Sequence, residues 1–235
     1  NNVFGTKTVA DLAQEFETDK FVLISTDKAV NPTSVMGASK QIAERYIHAL
    51  AQVTKGAFIV VRFGNVLGSN GSVVPLFTEQ IRRGGPITVT DERMTRFFMT
   101  IPEASQLVLQ AAAMGKGGEI FVLEMGEQIR IADLAKDMIR LSGLPSSAIE
   151  IEYVGIRPGE KLFEELYFDE EQCLETAHPK LRAAFHRPYS VDEVLSSIQS
   201  LEKIVDSPDT HVRSMLKEIV PEYTPPVLAG ELPNV

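Results

Sequence analysis

The 235-residue sequence has no tryptophan, a single cysteine and only four histidines. One thiol, Cys173, excludes an internal disulfide framework, and a reducing compartment is expected. Cys173 stands among Glu170, Glu171 and Glu175, an acidic setting that argues against a reactive thiolate. The histidines show no ligand spacing, so no metal site is expected. No apolar run approaches the roughly 18 residues that a membrane helix needs, and no signal-peptide pattern is present. No membrane segment is therefore expected in this chain. Lysine and arginine number 23 against 32 aspartates and glutamates, a net charge of −9, and they are dispersed. That argues against nucleic acid as the partner and leaves room for a local basic pocket. The sequence does not begin with methionine and runs at once into a helical pattern, as the middle of a longer protein would.

One further absence bears on chemistry. A dinucleotide site needs a glycine-rich turn between a buried strand and a helix N-terminus, where phosphate can approach the backbone. No Gly-x-Gly-x-x-Gly occurs. Gly68-Ser-Asn-Gly71 and Gly115-Lys-Gly-Gly118 read as turns, because neither links such a strand to such a helix. The chain is expected to be the later part of a cofactor-binding domain.

What is present is strongly periodic. Helical spacing covers 3–16, about 35–54, 73–83, 101–114, 131–142 and two helices within 190–219 that part near Pro208. Continuous apolar runs at 20–26 and 57–63 have the look of strands buried on both faces of a parallel sheet. Shorter strands are expected at 86–90, 119–124 and 149–153, and a loop at 157–161 should lead into a short helix. Thr33 or Ser34 can cap the second helix. Strands alternating with helices predict an α/β fold, the later part of a Rossmann-type doubly wound parallel sheet with a small α/β carboxy-terminal domain. The expected boundaries are 1–66 and 97–125 for the partial Rossmann domain, and 67–96 and 126–223 for the second domain. Residues 224–235, rich in proline, are expected to be an extended tail.

In such sheets ligands bind at the carboxyl ends of the strands. Thr26, Asp27 and Lys28 leave one such end together, and Lys40 follows on the next helix. A hydroxyl, an acid and two amines suit proton transfer beside a hydride-transfer cofactor. Met36 lies four residues before Lys40, on the same helical face, and a thioether carries no titrating proton.

The segment Ile24-Ser-Thr-Asp-Lys-Ala-Val-Asn-Pro-Thr-Ser-Val-Met-Gly-Ala-Ser-Lys40 resembles the active-site segment of extended short-chain dehydrogenases. In particular it resembles bacterial polysaccharide-biosynthesis UDP-N-acetylglucosamine 4,6-dehydratases. The resemblance continues through Arg62 to Pro75, Pro86 to Thr90, Met94 to Thr100 and Arg157 to Lys161. It implies a Rossmann domain for NAD or NADP and a smaller domain for a UDP-sugar. The implied reaction is redox-neutral: oxidation at C4, loss of water across C5 and C6, and return of hydride at C6. The implied product is a UDP-4-keto-6-deoxy-N-acetylhexosamine for surface polysaccharide. A homo-oligomer is expected. So is a cytoplasmic location, at the inner face of the membrane if a membrane region lies upstream.

The resemblance also distributes roles. Lys40 would hydrogen-bond the nicotinamide ribose; the plain alternative is a solvated surface lysine. Met36 stands where the family's tyrosine usually stands, marks one branch of these dehydratases and is expected to fill space there. Thr26 would hydrogen-bond the C4 hydroxyl. Asp27 would take the C4 proton and protonate the departing C6 hydroxyl. Lys28 would remove the C5 proton, unless it is only a structural partner of Asp27. Phe63, Gly64 and Val66 would line the nicotinamide, and Asn65 would bind the sugar or diphosphate. Arg96 and Arg157 would clamp the diphosphate, or else form surface ion pairs. Glu160 would accept from the ribose. Val74, Pro75, Leu76, Ile87 and Thr88 would sandwich the uracil, or else pack in a core. A UDP-hexose 4-epimerase, and a fragment that only binds UDP-sugar, are the competing readings.

Overall fold

The computed structural model describes residues 1–226 except residues 70, 169, 170, 186 and 187. In chain order the elements are α1 (Phe4–Glu15), β1 (Lys20–Thr26), a 3-10 turn (Asp27–Ala29), α2 (Val35–Ala51), β2 (Ala57–Phe63), β3 (Asn65–Val66), α3 (Val73–Arg82), β4 (Ile87–Val89), β5 (Thr95–Arg96), β6 (Phe98–Met99), α4 (Ile101–Met114), β7 (Ile120–Leu123), β8 (Ile129–Arg130), α5 (Ile131–Leu141), β9 (Ile151–Tyr153), β10 (Gln172–Glu175), β11 (Leu181–Phe185), α6 (Val191–Glu202) and α7 (Asp209–Ile219). They form two compact units.

The first unit holds residues 1–63, 107–124 and 165 onward. Its sheet has the order β1-β2-β7-β11-β10. β1, β2 and β7 are parallel, and β11 and β10 continue the sheet antiparallel. β1 and β2 end flush, with Thr26 opposite Phe63. β2 is the strand buried on both faces that its sequence predicts, with Phe58 to Arg62 all buried. β1 departs from that expectation: Leu23 and Ser25 are buried but Ile24 is 42% exposed. Among the described residues β1 pairs with β2 alone, so its apolar run lines an edge.

Two further expectations give way here. No helix follows Lys161; residues 162–168 run as bends, with the Leu162 carbonyl accepting from Thr95 N and the Glu164 carbonyl from the Gln128 amide. Residues 165–223, expected in the second domain, belong to the first unit. The reason is packing: β11 pairs with β7, and α6 and α7 lie on α2, burying Val194, Ile198, Leu201 and Leu216. Each such side chain stabilises by about 1.5–3 kcal/mol. From residue 227 the expected tail falls outside the described residues.

The second unit holds residues 64–106 and 125–164, so residues 64–66 and 97–106 fall here rather than in the first unit. β4 and β9 pair in parallel, and helices α3 and α5 pack with them. Ile131, Ala135 and Ile139 recur every four residues on α5 and close a core with Phe77, Ile87, Val89, Met94 and Ile149. No helix of the described residues is long and apolar enough to cross a membrane.

Candidate functional site

In the first unit the chain leaves β1 into a single 3-10 turn. Thr26 caps that turn, its hydroxyl accepting from Lys28 N. The Asp27 side chain is fully buried. Its Oδ1 accepts from the Thr26 hydroxyl at 2.9 Å and from Lys28 Nζ at 3.0 Å. Its Oδ2 is buried and has no hydrogen-bond partner. A buried carboxylate oxygen left open costs free energy unless something met in function satisfies it. The sequence-predicted trio is thus brought into one hydrogen-bonded cluster. Lys28 pairs with Asp27 in this cluster at 3.0 Å.

Helix α2 carries the next two residues to this strand end. Ser34 caps it, accepting from Gly37 N at 3.1 Å. Gly37 must be glycine, since a Cβ there would lie 2.2 Å from the Lys28 carbonyl oxygen. That close approach seats the helix on the cluster's backbone. Lys40 is half-buried and donates to the Ile24 carbonyl at 2.8 Å. Burial pulls its pKa below the ordinary lysine value, and the charge of Glu44 partly offsets this. Lys40 is therefore not the solvated surface lysine of the plain reading. Met36 is 44% exposed.

Behind the cluster lies a network that the sequence reading missed. Arg62, opposite Ser25 in the sheet, is fully buried. It donates to Glu44 at 2.7 and 3.2 Å, to Glu171 at 2.9 and 3.2 Å and to the Leu166 carbonyl at 3.2 Å. Ser25 also donates to Glu44. Burial works against the Arg62 charge, but Glu44 and Glu171 outweigh it and hold the guanidinium pKa above its ordinary value. The signal was legible: an arginine inside the apolar run Ala57–Phe63 demands a buried counter-charge.

In the second unit a cavity of about 250 Å³ is lined by Asn65, Leu76, Thr88, Arg96, Arg157 and Glu160, with Val73, Phe77 and Met94 among its apolar wall. Six residues predicted from widely separated segments thus share one cavity. Val74 and Pro75 do not line it; Val73 and Leu76 of the same helix do. Ile87 is fully buried in the unit's core, so its plain reading as packing holds. Arg96 is buried, donating to the Thr95 carbonyl at 2.7 Å and facing Glu160 at 3.4 Å and Glu164 at 3.7 Å. It is not the surface pair of the plain reading. Arg157 is exposed. Glu160 Oε2 is buried without a partner. Gly64 and Val66 flank Asn65 in this unit, and β3 pairs with β6. Phe63 ends β2 in the first.

Comparison with known proteins decides the family, because its match spans residues 1–185. The chain belongs to the polysaccharide biosynthesis protein family. Within it, the chain is 64% identical over 167 residues to the capsular polysaccharide biosynthesis protein CapD of Staphylococcus aureus, covering 71% of this chain and 28% of that protein. It is 57% identical over 181 residues to the probable polysaccharide biosynthesis protein EpsC of Bacillus subtilis (strain 168), covering 77% and 30%. The chain therefore spans under a third of these relatives. A UDP-glucose 4-epimerase of Rickettsia canadensis is 40% identical over 175 residues, covering 73% of this chain and 50% of that enzyme. Among solved structures, Pen from Bacillus thuringiensis superposes with a TM-score of 0.74 at 39% identity, covering 81% and 59%. A dTDP-glucose 4,6-dehydratase from Bacillus anthracis in complex with NAD gives 0.60 at 21% identity, covering 67% and 56%, and speaks to the fold alone. The α/β, Rossmann-type fold expected from the sequence is the one observed.

Proposed function

We propose that this chain carries the acid-base and sugar-nucleotide groups of an NAD(P)-dependent 4,6-dehydratase acting on a UDP-N-acetylhexosamine, UDP-N-acetylglucosamine first among them. The observation that carries the reading is Asp27: buried, bonded through one oxygen to Thr26 and Lys28, and open at the other. Resemblance at this segment and the family match to residues 1–185 support it.

The chain's residues fit the nicotinamide end of the cofactor: Lys40 reaches the end of β1, and Thr26 and Phe63 finish adjacent strands. A nicotinamide held there supplies hydride acceptance and return. In this reading Thr26 fixes the C4 hydroxyl, and its proton passes to Asp27 rather than to a phenol, since Met36 has none to exchange. Protonation removes the Asp27 charge and with it the ion pair to Lys28. Lys28, once it has released its ammonium proton to solvent, can then take the C5 proton, which a C4 ketone acidifies, and hand it back to C5 when hydride returns at C6. Asp27, now an acid, gives its proton to the departing C6 hydroxyl. In the second unit Arg96 and Arg157 meet the diphosphate, and Glu160 and Asn65 the ribose and sugar. Surface polysaccharide is the proposed destination.

The 40% identity to an epimerase favours the competing reading, which needs only oxidation and re-reduction at C4. Product analysis separates them. Full-length protein bearing this chain, given UDP-N-acetylglucosamine and NAD, should release a 4-keto sugar lacking its C6 hydroxyl. A C4 epimer that keeps the C6 hydroxyl would establish the epimerase instead.

A further inference from the structure

We propose that Gln80 sets the hydrogen-bond polarity of Thr88, making the Thr88 hydroxyl a donor that reads a carbonyl of the bound pyrimidine. The proposal rests on the reading that the second unit's cavity takes a uridine nucleotide.

The geometry begins with β4. Ile87 N and the Val89 carbonyl bond toward β9 and its flanks, at 2.8 and 2.9 Å. Alternation along a strand turns the Thr88 N–H the other way, to the free edge. There Gln80, from α3, covers it: Thr88 N donates to Gln80 Oε1 at 3.1 Å, and Gln80 Nε2 donates to Thr88 Oγ1 at 2.8 Å. The backbone N–H can only donate, so it fixes which way the amide faces. The amine of Gln80 must then meet the hydroxyl. One Thr88 lone pair is occupied, and the hydroxyl proton is turned away from Gln80.

Thr88 lines the cavity together with Leu76 and Phe77, which offer flat apolar contact. Arg96, Arg157 and Glu160 line it too and suit phosphate and ribose. Uracil presents two carbonyl acceptors; cytosine replaces one of them with an amine. A hydroxyl held as donor favours the first base over the second. Gln80 does not line the cavity, so it is a positioning residue that acts through Thr88.

Gln80→Glu inverts this polarity while keeping shape. A carboxylate still accepts from Thr88 N, but its second oxygen accepts the hydroxyl proton as well. Thr88 is left presenting lone pairs only. Titration calorimetry of the chain with UDP and with CDP, for wild type, Gln80→Glu and Thr88→Ser, tests the idea. Wild type should prefer UDP. Gln80→Glu should lower that preference about fivefold or more, the worth of one hydrogen bond, with an unchanged melting temperature. Thr88→Ser, which keeps the hydroxyl, should retain the preference. If wild type prefers UDP and Gln80→Glu leaves the ratio unmoved, the inference is overturned and the uridine reading stands. If wild type binds UDP and CDP alike, or neither, both are overturned.

Discussion

Arg62 and Arg96 are both buried, and each lies between two glutamates. The contacts differ. Arg62 meets Glu44 at 2.7 Å and Glu171 at 2.9 Å, the lengths of charge-assisted hydrogen bonds, and is sealed from solvent. Arg96 meets Glu160 at 3.4 Å and Glu164 at 3.7 Å, and it lines a cavity. At those lengths little hydrogen-bond energy is committed. The first arginine is finished by the fold: it pins the end of β2 to α2 behind the Thr26-Asp27-Lys28 cluster. The second donates to the Thr95 and Leu162 carbonyls and stands in the wall of a cavity. Residue type and burial alone would give both the same role; the length of the contacts and the presence of a cavity separate them.

Removing each arginine should break the likeness. Arg62→Met leaves Glu44 and Glu171 buried without a counter-charge and should cost about 3–5 kcal/mol of stability, read from denaturant unfolding. Arg96→Met should cost less stability, since of its two glutamates Glu160 is partly exposed. Its UDP affinity should fall about tenfold or more, the worth of charged hydrogen bonds, by calorimetry. Equal stability losses, or an Arg96→Met variant that binds UDP as wild type does, would erase the distinction.

A smaller effect concerns Glu44. Glu44 serves Arg62 and also raises the pKa of Lys40 against the burial that lowers it. Glu44→Gln removes that opposing charge, so Lys40 loses its proton at a lower pH than in wild type. If activity needs the charged lysine, the alkaline limb of kcat/KM moves to lower pH. The position of the limb, not its height, reports this, since Glu44→Gln also weakens the hold on Arg62. For stability the sign follows from proton counting. A lysine whose pKa is lowered on folding binds fewer protons when folded. Its contribution is therefore unfavourable at pH below the folded value, and it is relieved as pH rises through the window up to the unfolded value.

Much of the fold was legible because its elements are long and periodic. β2, α2 and α5 follow from apolar spacing, and Ser34 signals the start of α2. β10 and β11 were not legible: Gln172–Glu175 and Leu181–Phe185 hold no β-branched residue, and pairing with β7 makes them strands. That same pairing drew residues 165–223 out of the domain to which their position in the chain had assigned them. At the site, adjacency in sequence brought Thr26, Asp27 and Lys28 together, and motif resemblance gathered Arg96, Arg157 and Glu160. Which face of α3 meets the cavity depends on its rotation, so of the expected Val74, Pro75 and Leu76 only Leu76 lines it, together with Val73. Gln80 gave no signal, because its role exists only once α3 lies beside the free edge of β4.

The open oxygen of Asp27 is the centre of the account. Asp27→Asn in the full-length protein keeps the shape and removes the acid. Incubated with UDP-N-acetylglucosamine and NAD, it should form no dehydrated sugar by mass spectrometry. UDP binding, read by calorimetry, should stay within about twofold of wild type, since Asp27 does not line the second unit's cavity. An Asp27→Asn protein that still eliminates water at the wild-type rate would contradict the proposed chemistry.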